Sequence, residues 1–312
     1  MTGMADTKRA DAPKRADAEK RADAGKRADA GKRTRAGIAL MCATMLIFAS
    51  QDAISTHLVG AYNVWMVTAL RFGFMVALAL AIAARGRGVA ATLRSARPML
   101  QIVRGALLAA QICILVSSFV LLGLIETHAI FAATPLLVTV LAGALLGERI
   151  GAARWVAVAV GFTGVLVILE PGIGVISPYA PLALLGCVVF AAYTLLTRVV
   201  ARDDAAETSF LWTALVGFAL MVPLGAWRWE PMGAGDAAWM AALCVCSGVG
   251  HLALIRVYVL AEASAVQPFT YLQLVFAGVL AVAFLGEAPA WNVAAGALLV
   301  VAAGIFAIVR AR

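Results

Sequence analysis

Residues 63–84 read NVWMVTALRFGFMVALALAIAA, an apolar stretch of 22 residues whose only charged side chain is Arg71. A helix of about 20 residues rises about 30 Å, which is the thickness of the hydrocarbon core of a bilayer. The stretch lacks the regular alternation of polar and apolar residues that is typical of a membrane-barrel strand. It therefore predicts a transmembrane helix.

Similar stretches fill almost all of the chain after residue 35. The ten predicted spans are 36–58, 63–84, 99–122, 127–147, 152–169, 179–198, 208–227, 237–260, 264–285 and 290–310. Of the 312 residues, 63% are hydrophobic and 13% are charged, and the mean hydropathy is +0.94. We expect an all-α polytopic membrane protein of ten transmembrane helices, in the inner membrane of a bacterium.

Arginines predict the orientation of these spans. The loop between spans 2 and 3 carries Arg85, Arg87, Arg94 and Arg97, and arginines also follow spans 4, 6 and 10. The opposite side of the membrane shows only Arg228. Because short loops rich in Lys and Arg stay in the cytoplasm, both termini are predicted to be cytoplasmic.

The N-terminal tail, residues 1–35, repeats the hexad KRADAx from Lys8 onward. Its eleven basic and six acidic residues give a net charge of +5, out of +8 for the chain. With few large apolar side chains it predicts a disordered cytoplasmic tail whose partner is anionic lipid headgroups. Nucleic-acid binding is the alternative, but the tail has no aromatic residues and its Asp residues offset the positive charge, so we expect no nucleic-acid partner.

The spans form two related halves, 36–172 and 177–310. Residues 126–134 (ETHAIFAAT) align with residues 262–270 (EASAVQPFT), and a Leu-Gly-Glu motif follows each segment. Each half has five spans, and an odd number means that the second half crosses the membrane upside down. Inverted repeats are typical of transporters that work by alternating access.

Several motifs identify a family. They are Arg71-Phe72, Pro135 with Gly147-Glu148-Arg149, AEASAVQPFTYLQ at 261–273, and Gly286-Glu287. Together with the ten-span plan they resemble the drug/metabolite transporter superfamily, EamA type. Within that family the chain is similar to the branch of S-adenosylmethionine-type carriers, where an Asp in span 1 is followed four residues later by Lys. Here Asp52 is present and Thr56 stands at the position of that Lys. The resemblance implies a metabolite transporter and favours export.

Charged residues inside spans are costly and mark candidate functional positions. Asp52 and Arg71 lie about 9 and about 12 Å inside the outer ends of spans 1 and 2, at about 1.5 Å per residue. We expect them to meet as an ion pair, either as a substrate or proton site or as a structural contact between the spans. Arg104 is expected to snorkel to the headgroups.

A polar face on span 9 completes the candidate site. Its side chains are spaced to share a wet cavity between the halves, and Tyr193 is one position before the repeat equivalent of Asp52. Packing between helices is the alternative role for these polar groups, and snorkelling is the alternative for Arg256. The predicted substrate-binding residues are Asp52, Arg71, Tyr193, Gln267, Tyr271, Gln273 and Arg256.

Motifs of enzymes and metal sites do not occur in the sequence. It has no HExxH, GxSxG, P-loop or metal-spaced Cys/His set, so we expect no catalytic residues, metal or cofactor. The function predicted is secondary transport of a small organic metabolite, an amino-acid-like or nucleoside- or cofactor-like solute, with proton coupling left open. The alternative is a non-transporting membrane protein, such as an intramembrane enzyme acting on a lipid-borne substrate or a scaffold.

Overall fold

The computed structural model describes residues 4–134, 136–138, 140–141, 152–169, 177–200, 202–260 and 267–310. These residues form helices joined by short turns, with no β-strand among them. The α-helices are α1 (Met4–Ala61), α2 (Val64–Arg85), α3 (Val89–Thr92), α4 (Pro98–Leu122), α5 (Leu124–Phe131), α6 (Ala152–Leu169), α7 (Ala180–Val200), α8 (Ala206–Trp227), α9 (Ala234–Leu260), α10 (Leu272–Leu280) and α11 (Trp291–Arg310).

Ten apolar helical segments correspond to the ten predicted spans. By length and composition, six described segments can cross a membrane: Lys32–Ala61, Val64–Arg85, Pro98–Leu122, Ala180–Thr197, Ala206–Trp227 and Ala234–Leu254. Four shorter apolar segments are Leu124–Val138, Trp155–Ile168, Phe269–Leu285 and Trp291–Phe306. The prediction of an all-α polytopic membrane protein is confirmed.

The outside of the helix bundle is apolar. Large hydrophobic side chains such as Phe162, Phe284, Trp291 and Leu298 are exposed. In water such a surface would drive aggregation, whereas lipid tails solvate it.

Local sequence explains where several helices begin and end. Asn63 begins α2, because its side-chain oxygen accepts a hydrogen bond from the backbone N–H of Met66 at 2.9 Å. Pro98 begins α4, where its missing N–H costs nothing. Gly123 separates α4 from α5 with φ of 100°, a backbone conformation that favours glycine.

Span 9 is an interrupted helix rather than a continuous one. It begins as a 3₁₀-helix over Gln267–Tyr271, continues as α10 and ends in a π-turn over Ala281–Leu285. Pro268 lacks a backbone donor and accounts for the irregular start. Gly286, with φ of 68°, ends the span in the left-handed conformation.

Helix packing follows the inverted repeat. In chain order, α1, α2, α4, α5 and α6 of the first half correspond to α7, α8, α9, the span 9 segment and α11 of the second. Helix α1 packs on α9, and α4 packs on α7, which are equivalent contacts. Equivalent helices also pack on each other, α2 on α8 and α6 on α11. This is the pattern that a two-fold axis in the membrane plane produces.

Helices α6 and α11 cross at two glycines. A Cβ atom on Gly296 would lie 2.5 Å from the carbonyl oxygen of Gly164, and one on Gly164 would lie 2.8 Å from that of Gly296. Nearby, the side-chain amide of Asn292 donates to the carbonyl of Ile168 at 3.1 Å. Only glycine permits so close an approach of two backbones.

The N-terminal tail is part of a helix in the structure. Helix α1 extends back to Met4, where the sequence predicts disorder; the Ala, Lys and Arg of the hexads have high helix propensity. The division into a tail and two repeat domains stays a prediction. Pro135, Glu148 and Glu262 lie outside the described residues.

Candidate solute-binding site

Asp52 is a buried carboxylate within the membrane-spanning part of α1, with an exposed fraction of 4%. The side-chain amide of Gln273, on α10, donates to its Oδ2 at 2.8 Å. The amide of Gln51 donates to its Oδ1 at 3.5 Å, and Nε2 of His128, on α5, lies 3.2 Å from Oδ2. Groups from three helices therefore surround one acidic side chain, as a charge in a low-dielectric interior requires.

His128 is held between two elements. Its imidazole stacks on the ring of Phe119 from α4, with centroids 5.2 Å apart and planes at 25°. Its Nε2 is at ion-pair distance from Asp52 but is not aligned for a hydrogen bond. The sequence analysis did not select His128. The signal that the sequence offers is a difference between the halves, because Ser264 stands at the position of the second half that aligns with His128.

Arg71 is buried in α2 but does not pair with Asp52. Its only described hydrogen bond is a long one, from Nη2 to the hydroxyl of Ser247 on α9 at 3.4 Å. Its Nε has no partner among the described residues. The predicted ion pair is therefore wrong, because Asp52 contacts α5 and α10 while Arg71 contacts α9. The guanidinium has five N–H donors and retains the capacity to bind an acceptor.

Tyr193 belongs to a different polar network. Its ring stacks on Phe190 at 5.9 Å, and the guanidinium of Arg104 lies over it, 5.6 Å from the centroid. Arg104 is 2% exposed and donates to Gln101 at 2.9 Å and to Thr213 at 2.6 Å. It does not snorkel as expected, since these acceptors and the Tyr193 ring satisfy its charge inside the protein.

The remaining predicted residues lie at separate positions. The hydroxyl of Tyr271 packs against Gly304 of α11, where an added Cβ would overlap it at 1.6 Å. Arg256 is exposed on α9, and the side chain of Gln267 lies outside the described part of the structure. Of the predicted set, the hydrogen bonds between described residues join only Asp52 and Gln273.

Several buried polar atoms have no hydrogen-bond partner among the described residues. They are Gln51 Oε1, Arg71 Nε, Thr127 Oγ1, His128 Nε2, Thr134 Oγ1 and Tyr271 Oη. Buried polar atoms are nearly always hydrogen-bonded in proteins, so these atoms are candidate positions for a ligand group or an ordered water. Three of the six lie in or beside the Asp52 cluster: His128 belongs to it, Gln51 is adjacent to Asp52 and Thr127 is adjacent to His128.

An apolar cavity of about 320 Å³ lies elsewhere, between α4 and α8. Its lining includes Trp65, Ile114, Leu220 and Leu224 and none of the predicted site residues. Its surface is almost entirely apolar and therefore poorly suited to a polar solute. The described residues also contain no group of three His, Cys, Asp or Glu side chains that could hold a metal.

Glu287, in the second half, forms hydrogen bonds with the first half beside the Asp52 cluster. Its carboxylate accepts the backbone N–H groups of Leu124 at 2.7 Å and of Ile125 at 3.0 Å, at the start of α5. The sequence predicts this side chain at the N-terminus of span 10. The structure places it instead on the N-terminus of a helix in the other half, one turn before His128, where it satisfies two free donors.

Three relatives and one solved structure are similar to this chain. A riboflavin transporter of Rhizobium johnstonii is 33% identical over 190 residues, covering 58% of this chain and 60% of its own length. A riboflavin transporter of Vibrio cholerae is 30% identical over 181 residues, 56% of this chain and again 60% of its own. The chain therefore spans about three fifths of the length of these two proteins.

Coverage is wider for a second kind of relative. An S-adenosylmethionine uptake transporter of Rickettsia conorii is 24% identical over 261 residues, 83% of this chain and 88% of its own. A crystal structure covers 89% of this chain and 99% of its own with a TM-score of 0.62, at 22% identity, which shows a shared fold. The EamA-like transporter family matches residues 35–170 and 177–310. The chain belongs to the EamA-like transporter family, whose members are transporters rather than enzymes.

Proposed function

We propose that this protein is a secondary transporter that carries a small organic metabolite by alternating access around the Asp52 cluster. One observation carries the proposal: a buried carboxylate is held by side chains of α1, α5 and α10 inside the membrane, where the inverted halves meet. Ionisable groups in that position mark substrate and ion pathways in membrane proteins. Inverted halves around such a site are the architecture of alternating access.

The charges of the site favour a solute that carries both a donor and an acceptor. Asp52 accepts hydrogen bonds, whereas the buried guanidinium of Arg71 has donors to spare. A carboxylate and an arginine bind cationic and anionic groups respectively, through charge-assisted hydrogen bonds. An amino-acid-like or cofactor-like solute fits this pair, and the riboflavin and S-adenosylmethionine named for the relatives are the first two candidates.

Orientation and direction are part of the same proposal. The arginines of the loops after spans 2, 4, 6 and 10 support cytoplasmic termini in a bacterial inner membrane. The sequence predicts export, whereas relatives are named for uptake. A secondary transporter moves its solute in either direction according to the gradients, so transport is to be measured both ways.

The test is transport of radiolabelled riboflavin and S-adenosylmethionine by proteoliposomes. We expect the wild type to exchange one of these solutes. Asp52→Asn should lower the rate of exchange about 10-fold or more, since a hydrogen bond to a charged group contributes about 1.5–3 kcal/mol. The matched control is Asp203→Asn, the same change at an exposed carboxylate that pairs with Arg97 at 2.6 Å, and it should transport normally. Equal transport by both variants would remove Asp52 from the site, and no transport by the wild type would contradict the proposed solutes.

A further inference from the structure

We propose that His128 and Asp52 together bind the proton that drives transport. This inference rests on the proposed function and adds to it a specific pair of atoms, Nε2 of His128 and Oδ2 of Asp52, which lie 3.2 Å apart. Both side chains are buried, in helices α5 and α1 that belong to different spans. The pair is thus placed to sense both the proton and the relative position of two moving helices.

The surroundings of the pair hold its two groups close together. Phe119 stacks on one face of the imidazole and restricts its rotation. Gln273 donates to the same Oδ2 that faces His128, and Gln51 donates to Oδ1. An amide donor keeps hydrogen bonding to the carboxylate without adding charge. Within the described part of the chain, the imidazole is the only titratable group in contact with Asp52.

The pair occurs in only one of the two halves. In the sequence alignment of the halves, His128 corresponds to Ser264 and Asp52 corresponds to Thr194. The second half therefore has hydroxyl groups where the first has a base and an acid. If these two positions served only the fold that both halves share, the halves would not need to differ there. A single coupling proton, in contrast, needs only one such pair.

Other titratable groups on the surrounding elements have contacts of their own, although Arg71 and Tyr271 also keep a buried polar atom without a hydrogen-bond partner among the described residues. The charge of Arg71 acts on Asp52 at longer range, and Glu126 lies two residues before His128 on α5. Arg71 binds Ser247, Arg104 binds Gln101 and Thr213, and Cys187 donates to the carbonyl of Ile130. The same holds on the remaining elements: Cys113 contacts Thr68, His251 contacts the carbonyl of Ser247, Tyr193 lies under Arg104, Tyr271 packs against Gly304, and Glu287 binds Leu124 and Ile125. Helix α10 carries no titratable side chain.

Charge explains why the bound proton is coupled to the movement of the halves. With a neutral imidazole the pair has a net charge of −1, and one added proton makes it neutral. Closing the site around the charged carboxylate carries a desolvation cost that a bound proton lowers, since the charge loses its water. The proton binds from water on one side and is released to water on the other.

The experiment separates exchange from energised transport in proteoliposomes, using radiolabelled riboflavin and S-adenosylmethionine. Counterflow, with solute on both sides and no gradient, needs only solute binding and alternating access. Accumulation driven by an imposed pH gradient needs the coupling proton as well. We expect His128→Asn to lose gradient-driven accumulation and to lower counterflow by a clearly smaller factor, because an amide at position 128 can still donate to Asp52 but cannot carry the proton. His57→Asn, at an exposed histidine on α1, should keep both.

Each outcome is decisive. If His128→Asn still accumulates solute down a pH gradient, the pair is not the proton site. If a folded His128→Asn loses counterflow as well, His128 holds the solute or the fold and the proton assignment is overturned. If this variant does not fold, a pH-sensitive dye inside wild-type proteoliposomes gives the answer, because solute flux without proton flux also overturns it. Failure of wild-type counterflow with both solutes would instead contradict the proposed function as stated for these solutes.

Discussion

The carboxylate of Asp52 is stabilised by several weak partners rather than by one permanent counter-charge. Two amides and an imidazole contact it, and Arg71, which makes a long hydrogen bond to Ser247, acts on it only at longer range. A permanent ion pair would neutralise the site in every state of the cycle. Amide donors instead leave the charge available for a proton or for a cationic group of the solute.

A second acidic residue, Asp204, has a structural role outside the membrane. It lies between α7 and α8 and accepts hydrogen bonds from the hydroxyl of Ser95, from the backbone N–H of Ala96 at 2.8 Å and from the amide of Gln101 at 2.8 Å. Partial burial opposes its ionisation, but these hydrogen bonds more than offset that effect and hold the pKa of Asp204 below its ordinary value.

The pH dependence of stability follows from that shift. Because the folded pKa of Asp204 is below the unfolded one, its stabilising effect is complete above the unfolded value of about 3.9 and is lost as the pH falls through the folded value. Asp204→Asn should lower the unfolding temperature at neutral pH, and the difference from wild type should shrink below about pH 4. Thermal unfolding of both proteins in detergent measures this. A difference that does not change with pH would contradict it.

At the scale of single residues, the sequence shows which side chains are costly to bury in the membrane but not which groups they contact. Asp52 and Gln273 could be selected because a charge and a polar face inside apolar spans are visible in the sequence. The Asp52–Arg71 pair could not be excluded, because its existence depends on how α1 and α2 are rotated against α5, α9 and α10. His128 was missed for the same reason: only the fold brings it within 3.2 Å of Asp52.

Among the elements, the start of α5 depends on a side chain from the other half of the protein. Glu287 accepts the first two N–H groups of this helix. Glu287→Ala should destabilise the protein by about 1–2 kcal/mol, as the loss of a helix cap does, while Glu207→Ala at an exposed position in α8 should cost less than half as much. Thermal unfolding of the two variants compares them, and equal losses would show that the contact contributes little.

The crossing of α6 and α11 gives a second prediction for a single element pair. Gly296→Ala would place a methyl group 2.5 Å from the carbonyl of Gly164 and force the helices apart, at a cost above about 1 kcal/mol. Gly278→Ala is the matched control, because nothing lies within 4 Å of its Cβ position in α10, and it should be neutral or stabilising by up to about 1 kcal/mol. If both variants unfold at the wild-type temperature, the close crossing is not required.

The spans themselves could be predicted from hydropathy because burial in lipid requires about 20 apolar residues in a row. Their interruptions could be predicted only in part. Pro268 signals the irregular start of span 9, but the π-turn at Ala281–Leu285 follows an ordinary apolar run with no such signal. The target of Glu287 was also beyond prediction, since its position just before its own helix does not indicate which helix of the other half lies next to it.

For the molecule as a whole, the repeat explains the packing. Equivalent helices pack on each other, α2 on α8 and α6 on α11, and the α1–α9 contact is repeated by α4 and α7. Two halves with the same internal contacts can exchange conformations. The states open to either side of the membrane then have similar energies. The polar cluster departs from this symmetry, and in the proposed function it is the part that binds the solute and the driving proton.

The central claim, that the Asp52 cluster is exposed alternately to the two sides, is tested most directly by labelling a thiol beside it. In a variant without the five native cysteines, Gln51→Cys would be exposed to an impermeant thiol reagent in vesicles of either orientation, with and without riboflavin. The account predicts labelling from both sides and a shift of the ratio by the transported solute, while Gly60→Cys, at the open end of α1, reacts from one side only. Labelling of the position-51 thiol from one side only, at a rate that no solute changes, would contradict it.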